Sequence, residues 1–394
     1  MAMAHERARQ CLSLLLKKIG FSPIVSIQGP RQCGKSYLAK NILSKKLKST
    51  EFITLDSSSM RKQAEASPRF FLTAPEVEHL IIDEFQKVPI LFDEVKAIVD
   101  ENRRPGRFII LGSTEFSIEA KIKESLTGRL SRIRIFPMNL SEVKKIELNS
   151  IKKFPFLYPT QRVPRTEVFR YLKNGGLPGI FVVKSELERK SLMKDWIDLT
   201  VNRDLFQFSD KKLDSDIAEG ILFQIAHLEE ASAINIARAM GKSITVISRH
   251  LKPLQDLFVI NEVKPFSKSA GKPIFYLCDV GLLDYLNAPM AKKIETWINL
   301  ELKSQLSYKG IFDDKICFFR SLRSQPIHFV NQSGKSVTAV KVVHAEHVDR
   351  RDILVFESLK KKYSTFHINS IILYGGENQF ALDDVHIYPW ERIV

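Results

Sequence analysis

Eight residues constrain this chain more than any others: Gly29-Pro30-Arg31-Gln32-Cys33-Gly34-Lys35-Ser36, a complete GxxxxGK[ST] pattern. They follow the apolar run Ile24-Val25-Ser26-Ile27 and precede a helix-compatible stretch from Tyr37 to Leu43, so the order is strand, loop, helix. Glycines let such a loop curl until its N–H groups point inward, and the helix behind it adds the positive end of its dipole. Lys35 would reach β/γ-phosphates and Ser36 would offer a hydroxyl to Mg²⁺. The pattern implies an α/β unit in which Gly29 to Tyr37 cradle a nucleoside triphosphate.

Binding alone does not imply hydrolysis. A short apolar strand, Leu80-Ile81-Ile82, ends in Asp83-Glu84, and two acids at that place suit a division of labour. Asp83 would hold Mg²⁺ through its water shell, and Glu84 would orient and polarise the attacking water. A third strand, Phe108-Ile109-Ile110-Leu111, leads into Gly112-Ser113-Thr114, so Ser113 or Thr114 is a candidate to sense the γ-phosphate or the water. Gly112-Ser113 could equally begin an ordinary turn. Beyond it the pattern predicts a helix over 115–126, then Thr127-Gly128-Arg129 and an apolar-basic segment, Ile133 to Phe136. An arginine at this rim of the domain suits a finger reaching a neighbouring subunit's site. Arg129 is the first choice, with Arg132 and Arg134 behind it, and a surface or ion-pairing arginine fits the same place.

At this point a resemblance becomes specific. The loop Gly29 to Ser36, Ser67-Pro68-Arg69-Phe70-Phe71-Leu72, Ile82 to Pro89, Arg103 to Phe108 and Glu124 to Arg129 together resemble a bacterial and archaeal AAA+-type P-loop ATPase family. Further on, Asn174-Gly175-Gly176-Leu177-Pro178, Asn202-Arg203-Asp204, Phe275 to Leu282 and Tyr374-Gly375-Gly376-Glu377 extend the resemblance over nearly the whole chain. Cys33 stands where that family has a small aliphatic residue, a change that keeps the size. The resemblance implies a Walker A loop, a Walker B strand, ATP and Mg²⁺ as ligands, a homo-oligomer, and a C-terminal half of unknown function.

Length and composition fit that picture. The 394 residues are enough for two or three domains, and an apolar share of 44% is that of a globular chain. Cys11, Cys33, Cys278 and Cys317 are far apart and form no CxxC pair, which points to reduced thiols in the cytoplasm and to no zinc site. The stretch Leu12 to Lys18 is too short for a signal and reads as an amphipathic helix, and no run is long enough to span a membrane. Sixty basic against 45 acidic residues leave a net charge of +15, which suits a polyanionic partner such as DNA but also an acidic protein partner.

Four parts are expected: the ATPase domain at 1–148, a linker and helical region at 149–230, a winged helix-turn-helix at 231–288 and a nuclease-like α/β domain at 289–394. In the second part Gly175 suits a tight turn with positive φ, and Arg203 with Asp204 reads as an interdomain or intersubunit ion pair. In the third, Ser243 caps a helix whose apolar face is Ile247, Leu251, Leu254 and Phe258. Its outward side chains, Thr245, Ser248, Arg249 and Lys252, suit phosphate and base-edge contacts, and Lys264, Lys268 and Lys272 line a wing over 261–276. The same module also serves as a protein-binding or structural element.

The last part resembles a PD-(D/E)XK nuclease fold, in which a helix glutamate and strand carboxylates hold metal. Glu301 keeps the helix position, but His328 takes the aspartate position, and Ala339 or Val340 stands where the next acid belongs. No Asp or Glu occurs between Arg320 and Ala345. Hard divalent ions need several oxygen ligands, so a scaffold without nuclease chemistry is expected.

Overall fold

A computed structural model describes residues 9–115, 126, 128–148, 163–207, 213–267, 269–311, 315–321 and 325–394. The helix expected over 115–126, the linker residues 149–162 and Lys268 fall almost wholly outside that set. The described chain forms two compact units, one of residues 1–138 with 256–259 and the other of residues 139–255 with 260–394.

The first unit is an α/β fold built on five parallel strands: β1 (Ile24–Gln28), β2 (Thr50–Thr54), β3 (His79–Asp83), β4 (Phe108–Gly112) and β5 (Leu130–Arg134). Their order is β2-β3-β4-β1-β5. Parallel strands covered on both faces must be apolar along their whole length, and β1 and β4 are buried at every position. The core runs from Ile24, Ile82, Phe108 and Ile110 to Phe92, Val95 and Val99 of the helix Leu91–Glu101. Gln28 stands beside Gly112 and Arg134, and Ile82 stands beside Ile110. The carboxyl ends of β1, β3 and β4 therefore share one edge, where an open parallel sheet places its ligands. The helix Leu12–Ile19 buries Leu15 and Ile19, as an amphipathic segment should.

The second unit begins with helices Arg165–Asn174, Pro178–Phe181, Glu186–Leu199 and Ser215–His227. Gly175 ends the first of these at φ 72°, and a side chain there would meet Asp279 Oδ1 at 2.0 Å. Asp279 accepts hydrogen bonds from the backbone N–H groups of Gly176 at 2.6 Å and Gly281 at 2.8 Å. Two distant motifs, Asn174 to Pro178 and Phe275 to Leu282, are thus halves of one buried latch. Burial pushes the Asp279 carboxyl up to about 6 although these bonds pull it down. Arg203 pairs with its neighbour Asp204 at 3.0 Å inside a wide helical turn, Thr200–Asp204.

Next come helices Ala233–Met240 and Ile244–Asp256, joined through Gly241 at φ 60°, and the hairpin β6 (Ile260–Pro265) with β7 (Ile274–Leu277). Ile247, Leu251 and Leu254 are buried on the second helix, but Phe258 does not continue that face. The helix has ended at Asp256, and Phe258, at φ 59°, packs against the Arg134 guanidinium. The remaining strands are β8 (Cys317–Phe319), β9 (Ile327–Ser333), β10 (Ser336–Val343), β11 (His367–Tyr374), β12 (Phe380–Leu382) and β13 (Val385–Pro389). With β6 and β7 they form an eight-stranded sheet ordered β12-β13-β11-β10-β9-β8-β6-β7. The helix Met290–Tyr308 precedes β8, and Arg350–Lys362 lies between β10 and β11. No helix among the described residues is long and apolar enough to cross a membrane.

Residues Asn139 to Glu142, assigned from sequence to the first domain, fold with the second unit for a local reason. Glu301, fully buried in the helix Met290–Tyr308, accepts from Leu140 N at 3.0 Å and Ser141 N at 3.4 Å, and also from Ser141 Oγ and Gln305 Nε2. Asn139 Nδ2 adds a bond to Ser304 Oγ at 2.8 Å. Burial nevertheless pushes the Glu301 carboxyl up to about 7, against an ordinary 4.5. A raised carboxyl keeps its proton in the folded chain where the unfolded chain has lost it. Its stabilising contribution is therefore complete below the unfolded value and declines as pH rises from 4.5 to 7. The slope is at most about 1.4 kcal/mol per pH unit. Denaturant unfolding at several pH values should show that slope in the wild type and a flatter one in Glu301→Gln.

Candidate functional site

The loop after β1 has the shape that its glycines permit. A Cβ at Gly29 would lie 2.1 Å from the Ile135 carbonyl oxygen, so no other residue fits there without moving β5's continuation. Gln32 at φ 60° and Gly34 at φ 96° turn the backbone into the left-handed region on either side of buried Cys33. Alternation of this kind forms an anion-binding concavity. Lys35 is buried, its Nζ donating to the carbonyls of Gly29 at 2.9 Å and Pro30 at 2.8 Å. A helical stretch starts at Lys35, widens into a π turn over Leu38–Leu43, and leaves Ser36 and Tyr37 exposed.

One residue here escaped the sequence reading. Arg9, just before the first helix, is buried and donates to the carbonyls of Cys33 and Phe136, each at 2.7 Å. Its guanidinium thereby ties the loop to the segment after β5. Arg9 follows Arg7 in a short stretch without hydrophobic periodicity, and no signal there singles it out.

Asp83 closes β3 and is buried, and its Oδ1 accepts from Glu84 N at 3.0 Å. Glu84 sits at φ 54°, a left-handed conformation that side chains seldom adopt and that turns it out of the strand direction. Its Oε2 accepts from Ser113 Oγ at 3.2 Å and from Gln86 Nε2 at 2.6 Å. Burial raises the Glu84 carboxyl above its ordinary value, with Lys35 pulling the other way. Of the two sensor candidates, Ser113 is the one whose hydroxyl reaches Glu84. Thr114 is buried, and its carbonyl accepts from Gln28 Nε2 at 3.2 Å. Lys35, Asp83, Glu84 and Ser113 are thus gathered at one edge of one sheet. The oxygen donors Ser36 and Asp83 at the mouth of a cationic cradle fit a hard ion such as Mg²⁺ accompanying phosphate.

Arg129 occupies the opposite edge. Leu130 pairs with Ile24, at the start of β1, and Ile24 N donates to the Arg129 carbonyl at 3.1 Å. The Gly29–Ser36 loop lies at the far end of that strand. The Arg129 side chain pairs with Asp100, that of Arg132 with Glu115 at 3.3 Å, and that of Arg134 stacks 4.6 Å from the Phe136 ring centroid.

In the second unit Thr245, Ser248, Arg249 and Lys252 are all exposed on the helix Ile244–Asp256. His250 is the buried exception, accepting at Nε2 from Asp214 N and donating from Nδ1 to Val246 O. The nuclease-like assignment of Glu301 needs correction, since that carboxylate is committed to residues 140 and 141. The acid on the same helix whose charge acts on His328 is Glu295, which accepts from the Tyr276 hydroxyl. His328 Nδ1 accepts from Val342 N at 3.0 Å, and burial pushes its pKa down to about 4. Lys341 donates to Gln325 Oε1 at 2.8 Å and faces Asp352 at 3.4 Å, while Ala339 and Val340 are buried and apolar. Among the described residues no three His, Cys, Asp or Glu side chains converge as a metal-binding group.

Strand order, loop conformation and paired acids define an α/β P-loop fold, and residues 21–144 match the family described as an AAA domain. Residues 165–293 match a domain of unknown function. The chain is 25% identical over 285 residues to the uncharacterized protein Rv2008c of Mycobacterium tuberculosis, covering 71% of this chain and 59% of that one. It therefore spans about three fifths of the length of that relative. Identity to the uncharacterized protein MJ1544 of Methanocaldococcus jannaschii is 24% over 386 residues, or 91% of this chain and 84% of the other. Among solved structures, the Walker-type ATPase of Pyrococcus abyssi aligns with a TM-score of 0.42 and 15% identity, over 71% of this chain and 94% of that one.

Proposed function

We propose that this protein is a Mg²⁺-dependent ATPase of AAA+ type that works as a homo-oligomer. The observation that carries the reading is the gathering of the Gly29–Ser36 cradle, Asp83, Glu84 and Ser113 at the carboxyl edge of one parallel sheet. Lys35 and the loop N–H groups meet phosphate charge. Ser36 and Asp83 would hold Mg²⁺, which when bound would neutralise charge on the phosphates. Glu84 takes a proton from the attacking water as its oxygen bonds to the γ-phosphorus. The bond from that phosphorus to the bridging oxygen breaks, and its electron pair leaves with the diphosphate. Positioning and charge neutralisation supply most of the rate in such a transfer. Arg129, remote from its own cradle, acts on the site of an adjacent subunit.

The second unit couples this cycle to a partner. The exposed row Thr245, Ser248, Arg249 and Lys252 on the second of two closely joined helices, followed by a hairpin, favours duplex DNA as that partner. A slow switch that holds a protein instead would turn over at the same rate with and without DNA. Phosphate release by purified protein with Mg²⁺, with and without duplex DNA, tests both statements. Absence of Mg²⁺-dependent release rejects the enzyme, and release indifferent to DNA rejects the coupling.

A further inference from the structure

Gln86 holds Glu84 from the side. Its Nε2 donates to Glu84 Oε2 at 2.6 Å and approaches Ser113 Oγ at 3.4 Å. Its Oε1 is buried and has no hydrogen-bond partner among the described residues. An amide oxygen left unpaired in a buried place is costly, whereas a water with a free O–H would satisfy it. The backbone accounts for this placement. Glu84 at φ 54° starts a tight turn over Phe85–Lys87, and Phe85, fully buried edge-on against Phe92 at 4.7 Å, anchors it. Gln86 follows a fixed residue and is thereby aimed back at the acid.

We propose that Gln86 is a further catalytic residue for ATP hydrolysis, an inference that rests on the ATPase reading above. Its amide nitrogen sets the Glu84 rotamer, while its amide oxygen accepts one O–H of the attacking water. Glu84 then receives the other proton of that water. Ser113 shares the task by donating to the same Glu84 oxygen, which leaves the amide oxygen of Gln86 as the acceptor.

The test compares Gln86→Leu and the volume-conserving Gln86→Glu with wild type and with Glu84→Gln. Four readouts are needed: thermal midpoint, Kd for ADP, Kd for ADP with aluminium fluoride as a mimic of the transferring phosphoryl group, and steady-state kcat and KM. Both Gln86 variants should keep the ADP Kd and KM within about twofold. They should weaken fluoride-complex binding and lower kcat, each by roughly 10- to 100-fold. Gln86→Glu should suffer although it preserves size, because an acceptor replaces the donor facing Glu84. Unchanged fluoride-complex affinity in both variants overturns the inference while leaving the ATPase reading intact. Equal losses for ADP and for the fluoride complex would also overturn it, since they mark a general structural role. A wild-type protein that neither turns over ATP nor favours the fluoride complex over ADP brings down the ATPase reading itself.

Discussion

Glu84→Gln will keep its nucleotide and lose its turnover. Glutamine preserves the size of the side chain and an oxygen for Ser113 and Gln86, but it cannot take a proton from water. A positioned general base contributes about 10² to 10⁴ in rate, so phosphate release should fall by a factor in that range. Affinity for ATP should change little, because in the proposed mechanism the carboxylate acts on water and not on ground-state phosphate. Lys35→Ala should behave oppositely. Removing the ammonium now held by the Gly29 and Pro30 carbonyls takes a charged donor from the phosphate cradle, which should weaken ATP binding by roughly 10- to 100-fold. Titration with a fluorescent ATP analogue and single-turnover hydrolysis separate the two effects. Near-normal turnover in Glu84→Gln would remove Glu84 from its role.

What the sequence made legible is whatever chemistry or periodicity is local. The cradle, the acids after β3 and the polar end of β4 each announce themselves within a few residues. That β1, β3 and β4 are strands follows from their apolar runs, since parallel strands buried on both faces have that composition, whereas half-exposed β2 and the order of the sheet carry no such signal. Three residues were illegible. Arg9 acts on carbonyls at 33 and 136, Glu295 accepts from Tyr276 and its charge acts on His328, and Gln86 is defined by the left-handed turn at Glu84. The first two depend on which surfaces the fold brings together and the third on a local left-handed turn, and no spacing along the chain encodes either. Glu301 was misread in the same way: helix membership was evident, but which face of the helix carried which acid was not. The latch of Gly175, Gly176 and Asp279 shows the converse. Two motifs that stand out in sequence turn out to be buried partners, so their prominence reflects architecture more than chemistry.

Arg129→Ala should leave ATP affinity of the isolated subunit near normal and depress turnover steeply, with the loss depending on assembly. Arginine fingers contribute about 10³ to 10⁵ in rate, and removing one should cost a large part of that. On the proposed reading the finger acts across a subunit boundary, because Leu130 pairs with Ile24 at the start of β1, whereas the Gly29–Ser36 loop follows Gln28 at its end. In the subunit itself the Arg129 side chain is engaged by exposed Asp100, and an exposed ion pair of this kind contributes about 1 kcal/mol or less. A fully developed phosphoryl charge on a neighbour can therefore compete for the guanidinium. Asp100→Ala is the control, since it removes one local partner without touching the finger and should leave turnover intact. Mixing Arg129→Ala with Lys35→Ala protein tests whether the action is in trans. The first supplies an intact cradle and the second an intact finger, so activity should partly return as subunits exchange. A surface arginine predicts nearly wild-type turnover for Arg129→Ala and no gain on mixing. A particle that stays monomeric with ATP and Mg²⁺ by light scattering, while turning over normally, would leave Arg129 a structural residue and confine the chemistry to the cradle, Asp83 and Glu84.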